Sequence, residues 1–308
     1  MAGSSRQRMI VNFSDDALYV YNSSRHLQLQ AKKGWVIFEL TGPRHLVIAR
    51  ICVNIKQSTA LSPVRAPFGS FEIYSRLSSS SLLKFIQFVE TGLVQKGIKQ
   101  MIIKNWPAVY QPVQARQLYK VLVTKLQFKV SEEVSSVIPV SNKPLRVRMK
   151  ISERQKARKA EKMFLFSLCR PSEYKTIYDF ILTCRQERGQ SLSLSWKEME
   201  NTISKLPDRF MFFKLTGAEA IAAAAIVIRV SDKIWYTFYY AHAATYNKVS
   251  PVVHLLECIY NKAANEKVKL IDLGTSMLHD KINMPLLHFK KSVGAVTVPK
   301  FTFSKVYG

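Results

Sequence analysis

Carboxylates are the scarce residues of this 308-residue chain. It holds 21 Asp and Glu against 46 Lys and Arg, a net charge of +25. A surface so poor in acid favours an anionic partner, whether nucleic acid, anionic lipid or a phosphate-rich cofactor. Cysteines are few as well. The four, at positions 52, 169, 184 and 258, include no C-x-x-C pair, which excludes a disulfide framework and a cysteine zinc site and suits reduced, buried thiols. Long apolar runs are missing: the most apolar window, 220–230, falls far short of the ~20 residues a membrane helix requires, and the first residues are polar and basic rather than a leader. The expectation is a cytoplasmic chain with no transmembrane segment. Missing too are a P-loop, a dinucleotide fingerprint, a Ser-His-Asp order and any metal motif, so no metal is expected.

What is present is a core. Hydrophobic residues make up 47% of the chain, which excludes global disorder, and the length suits two ordinary domains. After a weakly patterned start over 1–30, read as a loose end, two β-rich runs at 34–40 and 45–56 flank Thr41-Gly-Pro-Arg44, a hairpin signal. An irregular strand follows over 62–74. Ser78 to Ser81 then offer caps for a helix with Leu82, Leu83, Phe85, Ile86, Val89 and Leu93 on its apolar face. A strand at 98–104, a helix at 114–126 and strand pattern over 128–140 complete the first half.

Asn142-Lys-Pro144 reads as a boundary, dividing a domain over 1–150 from one over 151–308. The second opens with a helical lead-in over 152–206: helices at 152–169 and 172–188, and one capped by Ser195. The densest basic run, 143–162, falls here. It reads as an exposed interdomain helix, with contact to nucleic-acid phosphates as the alternative. Strands follow at 210–215, 220–230 and 234–240. Ser250-Pro251 then reads as a helix start, and that helix leads to a last buried strand ending at Asp272 and Gly274.

Sliding the chain against itself by 170 residues lays Leu82 to Ile86 on Val252 to Leu256, Val89 on Ile259, Ile98 on Val268 and Ile103 on Leu273. The order and lengths of elements agree on both sides of this match, which points to an internal duplication. Each half reads β-β-β-α-β-α, the core order of a GNAT-type (acyl-CoA N-acyltransferase) α/β fold with a mixed sheet. In that order a helix N-terminus beside a central strand is a ready anion site, here 241–250.

Asp272-Leu-Gly-Thr-Ser276, followed by Leu286-Leu-His-Phe-Lys-Lys-Ser-Val-Gly-Ala295, resembles the C-terminal signature of the FemAB-type tandem acyltransferases. The resemblance is best over 210–300 and extends loosely to the whole chain. It implies transfer of an acyl or aminoacyl group from acyl-CoA or aminoacyl-tRNA to the amine of a small molecule or peptide. The residues it marks are Lys290, to stabilise an oxyanion or hold a phosphate, and Asp272, to orient the attacking amine, with His288 and His279 as bases. Tyr240, Ala241 and Ser250 mark the donor-binding end. Each has a plainer reading: a solvated lysine, a strand-end turn former, structural histidines, aromatic core packing. The usual acyl-CoA loop with its glycines is absent, since 242–249 contains none. The rival reading is an inactive duplicate that uses its basic surface to hold nucleic acid or another anionic partner.

Overall fold

The computed structural model describes residues 6–10, 17–218, 220–278 and 280–308. Two compact units emerge, one formed by Met1–Glu133 with Val298–Gly308, the other by Val134–Thr297.

The first unit begins with β1 (Arg6–Ile10), α1 (Ser24–Gln30), β2 (Trp35–Thr41), β3 (Val47–Lys56), β4 (Thr59–Ser62) and the short β5 (Glu72–Ile73). Strands β1 to β4 form an antiparallel meander, and β5 also pairs with β3. Helix α2 (Ser79–Val94) then crosses over to β6 (Gln100–Lys104), which lies parallel to β4. A parallel pair requires such a crossover, since no tight hairpin can join two strands of the same direction. Ser78 caps α2 through its hydroxyl, which accepts from the Ser81 N–H at 3.1 Å. Leu82, Phe85, Ile86, Val89 and Leu93 all face the core, at helical spacing. Helix α3 (Pro112–Tyr119) runs on into a π-helical turn over Lys120–Lys125. The start of the chain is not a loose end where it is described. Tyr19, Val20 and Tyr21 are buried, and the Tyr19 N–H donates to Glu72.

The second unit takes up β7 (Lys129–Pro139), α4 (Ile151–Met163), β8 (Leu165–Leu168), α5 (Tyr174–Gln186) and α6 (Trp196–Lys205). The central strands are β9 (Phe210–Thr216), β10 (Ile221–Ser231) and β11 (Ile234–His242). They are followed by α7 (Pro251–Asn265), β12 (Leu270–Thr275), the small hairpin β13 (Met277–Leu278) and β14 (Lys281–Ile282), α8 (Met284–Ser292) and finally β15 (Val296–Val306). Its sheet runs β8-β9-β10-β11-β12-β7, with β11 and β12 parallel and the other neighbours antiparallel. Helix α7 is apolar nearly all round and correspondingly buried. It packs on the β10 face, where Ala222 to Ala225 are fully buried and allow a close approach, and on its other side meets α4.

The helix expected over 152–169 stops at Met163. Phe164 turns to an extended backbone, and Leu165 to Leu168 pair with β9 instead. A ladder of backbone hydrogen bonds along an open sheet edge outweighs the helical pattern of an ambiguous apolar run. The segment around Asn142–Pro144 is not a free linker. The Tyr260 hydroxyl bonds the Ser141 and Lys143 carbonyls, and Lys150 N–H bonds Ser292.

The duplication is visible in the strand order. β1-β2-β3-β4-β6 in one unit answers β8-β9-β10-β11-β12 in the other, and α2 answers α7. In each unit one more antiparallel strand completes the sheet. β15, which follows α8, pairs with β6 of the first unit; β7, which follows α3, pairs with β12 of the second. The divisions of the chain therefore fall inside β7 and inside β15.

Candidate functional site

Strands β11 and β12 pair only over Ile234–Tyr236 and Leu270–Asp272. Beyond Tyr236 the last bridge is the Thr237 hydroxyl, which donates to the Asp272 carbonyl at 3.1 Å. β11 then continues to His242 on the β10 side alone, so the two parallel strands part. The gap opens toward the 243–250 loop and the start of α7. In the first unit the equivalent place is filled. There β4 pairs with β6 along its whole length, and the chain returns so that Gly69 N–H bonds the Lys104 carbonyl. Phe68 and Phe71 are buried there, with the Trp106 indole N–H held by the Phe71 carbonyl.

On the β12 side, Asp272 is buried and accepts from Gly274 N–H at 2.7 Å, with the Ser135 hydroxyl 3.5 Å away. This carboxylate shapes the turn that ends its own strand. Gly274 has φ +74, and a Cβ there would stand 3.2 Å from the Tyr236 ring, so glycine alone fits. Lys290 reaches the same turn from α8. Its ammonium donates to the Gly274 and Thr275 carbonyls at 2.9 Å each, and the side chain is 1% exposed. Burial lowers its pKa from 10.5 to about 8, against the upward pull of the Asp272 charge. The structure thus brings Lys290 and Asp272 together around one turn, neither of them at the surface. His288 is on the same helix but exposed. Residues two apart on a helix do not share a face. His279 lies outside the described residues.

On the β11 side, Tyr240 is half-buried, with its ring 6.4 Å from Phe289 of α8. Burial pushes its hydroxyl up to about 12, with Arg185 pulling the other way. Ala241 is buried. Ser250 does not cap α7 with its side chain; it takes a left-handed backbone (φ 50, ψ 62) and turns the chain into the helix. Sequence reasoning missed two residues here. Arg185, near the end of α5, donates to the Tyr240 carbonyl at 3.2 Å, and Arg188, just beyond α5, donates to the His242 carbonyl at 3.0 Å. His242 Nε2 is 2.9 Å from the Asn247 side-chain oxygen. Its pKa lies below the ordinary value, first through burial and also through the neighbouring Arg188 charge. The signal was a second basic group beyond the 143–162 run, lying some 55 residues from the carbonyls it serves.

No helix among the described residues is long and apolar enough to cross a membrane. No family model and no curated protein matches the sequence. Solved structures do match its shape. A structure of FemX superposes with a TM-score of 0.70 at 12% identity, covering 94% of this chain and 92% of that one. L-PGS from Bacillus licheniformis gives 0.56 at 12% identity, covering 90% and 85%. The C-terminal domain of a putative lysylphosphatidylglycerol synthetase from Agrobacterium fabrum gives 0.52 at 11%, covering 83% and 80%. The chain has the FemX-type tandem GNAT-like fold, as its C-terminal motif and its duplication lead one to expect.

Proposed function

We propose that this protein is an N-acyltransferase that moves an acyl or aminoacyl group from acyl-CoA or aminoacyl-tRNA to an amine, at the gap between β11 and β12. The single observation that carries the reading is the parting of those strands after Tyr236, beside the start of α7, in a fold shared with FemX along nearly the whole of both chains. Parted strands leave backbone groups without ladder partners, and these can hold an extended donor. The filled equivalent in the first unit argues that the second unit works alone as the transfer centre.

In this reading the amine nitrogen attacks the donor carbonyl, a tetrahedral oxyanion forms, and the thiol or ribose hydroxyl leaves with a proton. Lys290 serves this step by holding the β12 turn and by placing a cation beneath it. Asp272 balances that cation and fixes the turn, and thereby the position of the incoming amine. His288, exposed on α8, is the candidate for taking a proton at the rim. Tyr240, Ala241 and Ser250 line the donor's path from β11 to α7. The acceptor is a small-molecule or peptide amine. A cytoplasmic setting suits the four unpaired cysteines.

The test is transfer by purified protein with a panel of acyl-CoAs and of charged tRNAs, each with amine acceptors, read as product mass. Turnover with at least one donor class is expected, and Lys290→Ala should reduce it far more than it reduces the folded fraction. Binding of neither donor class refutes the assignment.

A further inference from the structure

We propose that Arg185 and Arg188 are the phosphate-holding pair of this site, taking the place of the glycine loop that 242–249 lacks. The inference rests on the reading above and deepens it by naming the residues that receive the donor's phosphate.

The argument begins with strand parity. Ala243 N–H donates to the Ala222 carbonyl, so residues of its parity on β11 face β10. Tyr240 and His242 therefore turn their carbonyls to the opposite edge, the one β12 has left. Those two carbonyls are the ones that Arg185 and Arg188 hold. Two guanidinium groups thus stand in a row along the parted edge, beside the 243–250 loop.

Charge balance is the second strand of the argument. Among the described residues, Arg50, Arg146 and Arg229 each pair with a glutamate. Arg185 and Arg188 instead meet only neutral oxygens: Gln190 and Tyr240 for the first, Cys184, His242 and Asn247 for the second. Such contacts fix the position of a guanidinium without cancelling its charge. Each group has five N–H donors in a planar fork, so donors remain for an anion. That fork matches the oxygen geometry of a phosphate in a way a lysine does not. Neutral contacts from the backbone, two fixed cations and a gap leading to the start of α7 together describe a seat for a phosphate ester. Its source is either the pyrophosphate of coenzyme A or a phosphodiester at the 3′ end of an RNA.

The experiment titrates the full chain with coenzyme A by calorimetry and with a labelled, CCA-ended RNA minihelix by anisotropy over a salt series. Arg185→Gln/Arg188→Gln is compared with wild type, and Lys96→Gln, an exposed residue of the first unit, controls for net charge. The expected result is that wild type binds one of the two probes. The double variant then weakens that binding at least tenfold, and the control changes it less than twofold. For the RNA, loss of two phosphate contacts should also lower the salt slope by about 1.4. Arg188→Ala alone, at an exposed position, keeps the test decisive if the double variant unfolds, and should weaken binding severalfold. Wild-type affinity in these variants overturns the inference while leaving the transfer reading standing. A wild-type protein that binds neither probe overturns both.

Discussion

Lys290 offers the sharpest physical test of the second unit, because its charge is buried and its partners are known. Its pKa falls from 10.5 to about 8 on folding, through burial opposed by Asp272. Keeping the ammonium charged inside the protein therefore costs about 3 kcal/mol. Lys290→Met at pH 7 recovers that cost but loses two charge-assisted bonds to Gly274 and Thr275, each worth about 1.5–3 kcal/mol. The net expectation is a modest loss, roughly 0–3 kcal/mol. The pH dependence has a definite sign. Below pH 8 the lysine is charged in both states and its burial penalty is in full force. Between pH 8 and 10.5 the unfolded chain binds the proton that the folded one has released, so this group raises stability as pH rises. The variant has no such group. The deficit of Lys290→Met relative to wild type should therefore widen by about 2.5 kcal/mol between pH 7 and pH 10. Urea denaturation of both proteins at the two pH values measures it. A deficit that stays constant or narrows refutes the description of Lys290 as a buried cation.

Two further perturbations test the scaffold around the site and its counterpart. Gly274→Ala puts a side chain at φ +74 and against the Tyr236 ring. It should cost about 1–3 kcal/mol and reduce transfer, and an unchanged melting temperature would contradict the turn geometry. Arg50→Met strands the Glu72 carboxylate, which is held in the core of the first unit at 2.8 Å from the guanidinium. A loss of about 3–5 kcal/mol in denaturant unfolding is expected, part of it recovered on adding Glu72→Gln; a neutral single substitution would mean that the carboxylate is not buried as a charge.

Much of the architecture was legible because local pattern and tertiary burial agree. The Ser78 cap and the Leu82–Leu93 face of α2 follow from helical spacing alone. The 170-residue offset, found from a handful of apolar positions, lays β6 on β12 where the strands do correspond. The illegible parts depend on partners remote in sequence. Met163 ends α4 because β9 has an edge to fill, which nothing in 152–169 announces. Lys290 stands beside Lys291 in the sequence, yet one is buried and the other exposed, and only the carbonyls of the β12 turn decide which. Ser250 and Pro251 do mark the helix start, but the cap is a left-handed backbone and not a hydroxyl. Arg185 and Arg188 look like the solvated end of an amphipathic helix until the free edge of β11 is seen beside them.

The exchange of the completing strands makes the two halves of the sequence unequal to the two halves of the molecule. Cut as a genetic object at its midpoint, this chain gives two fragments that each lack a sheet edge and each carry an orphan strand. A lesion in the last eleven residues is a lesion of the first unit, 100 residues or more from its other strands in sequence, because Thr302 to Val306 close the edge of β6. Synthesis order then matters. While the ribosome still holds the C-terminus, β6 waits with its edge bare, and the first unit reaches its final form only when the whole protein is free.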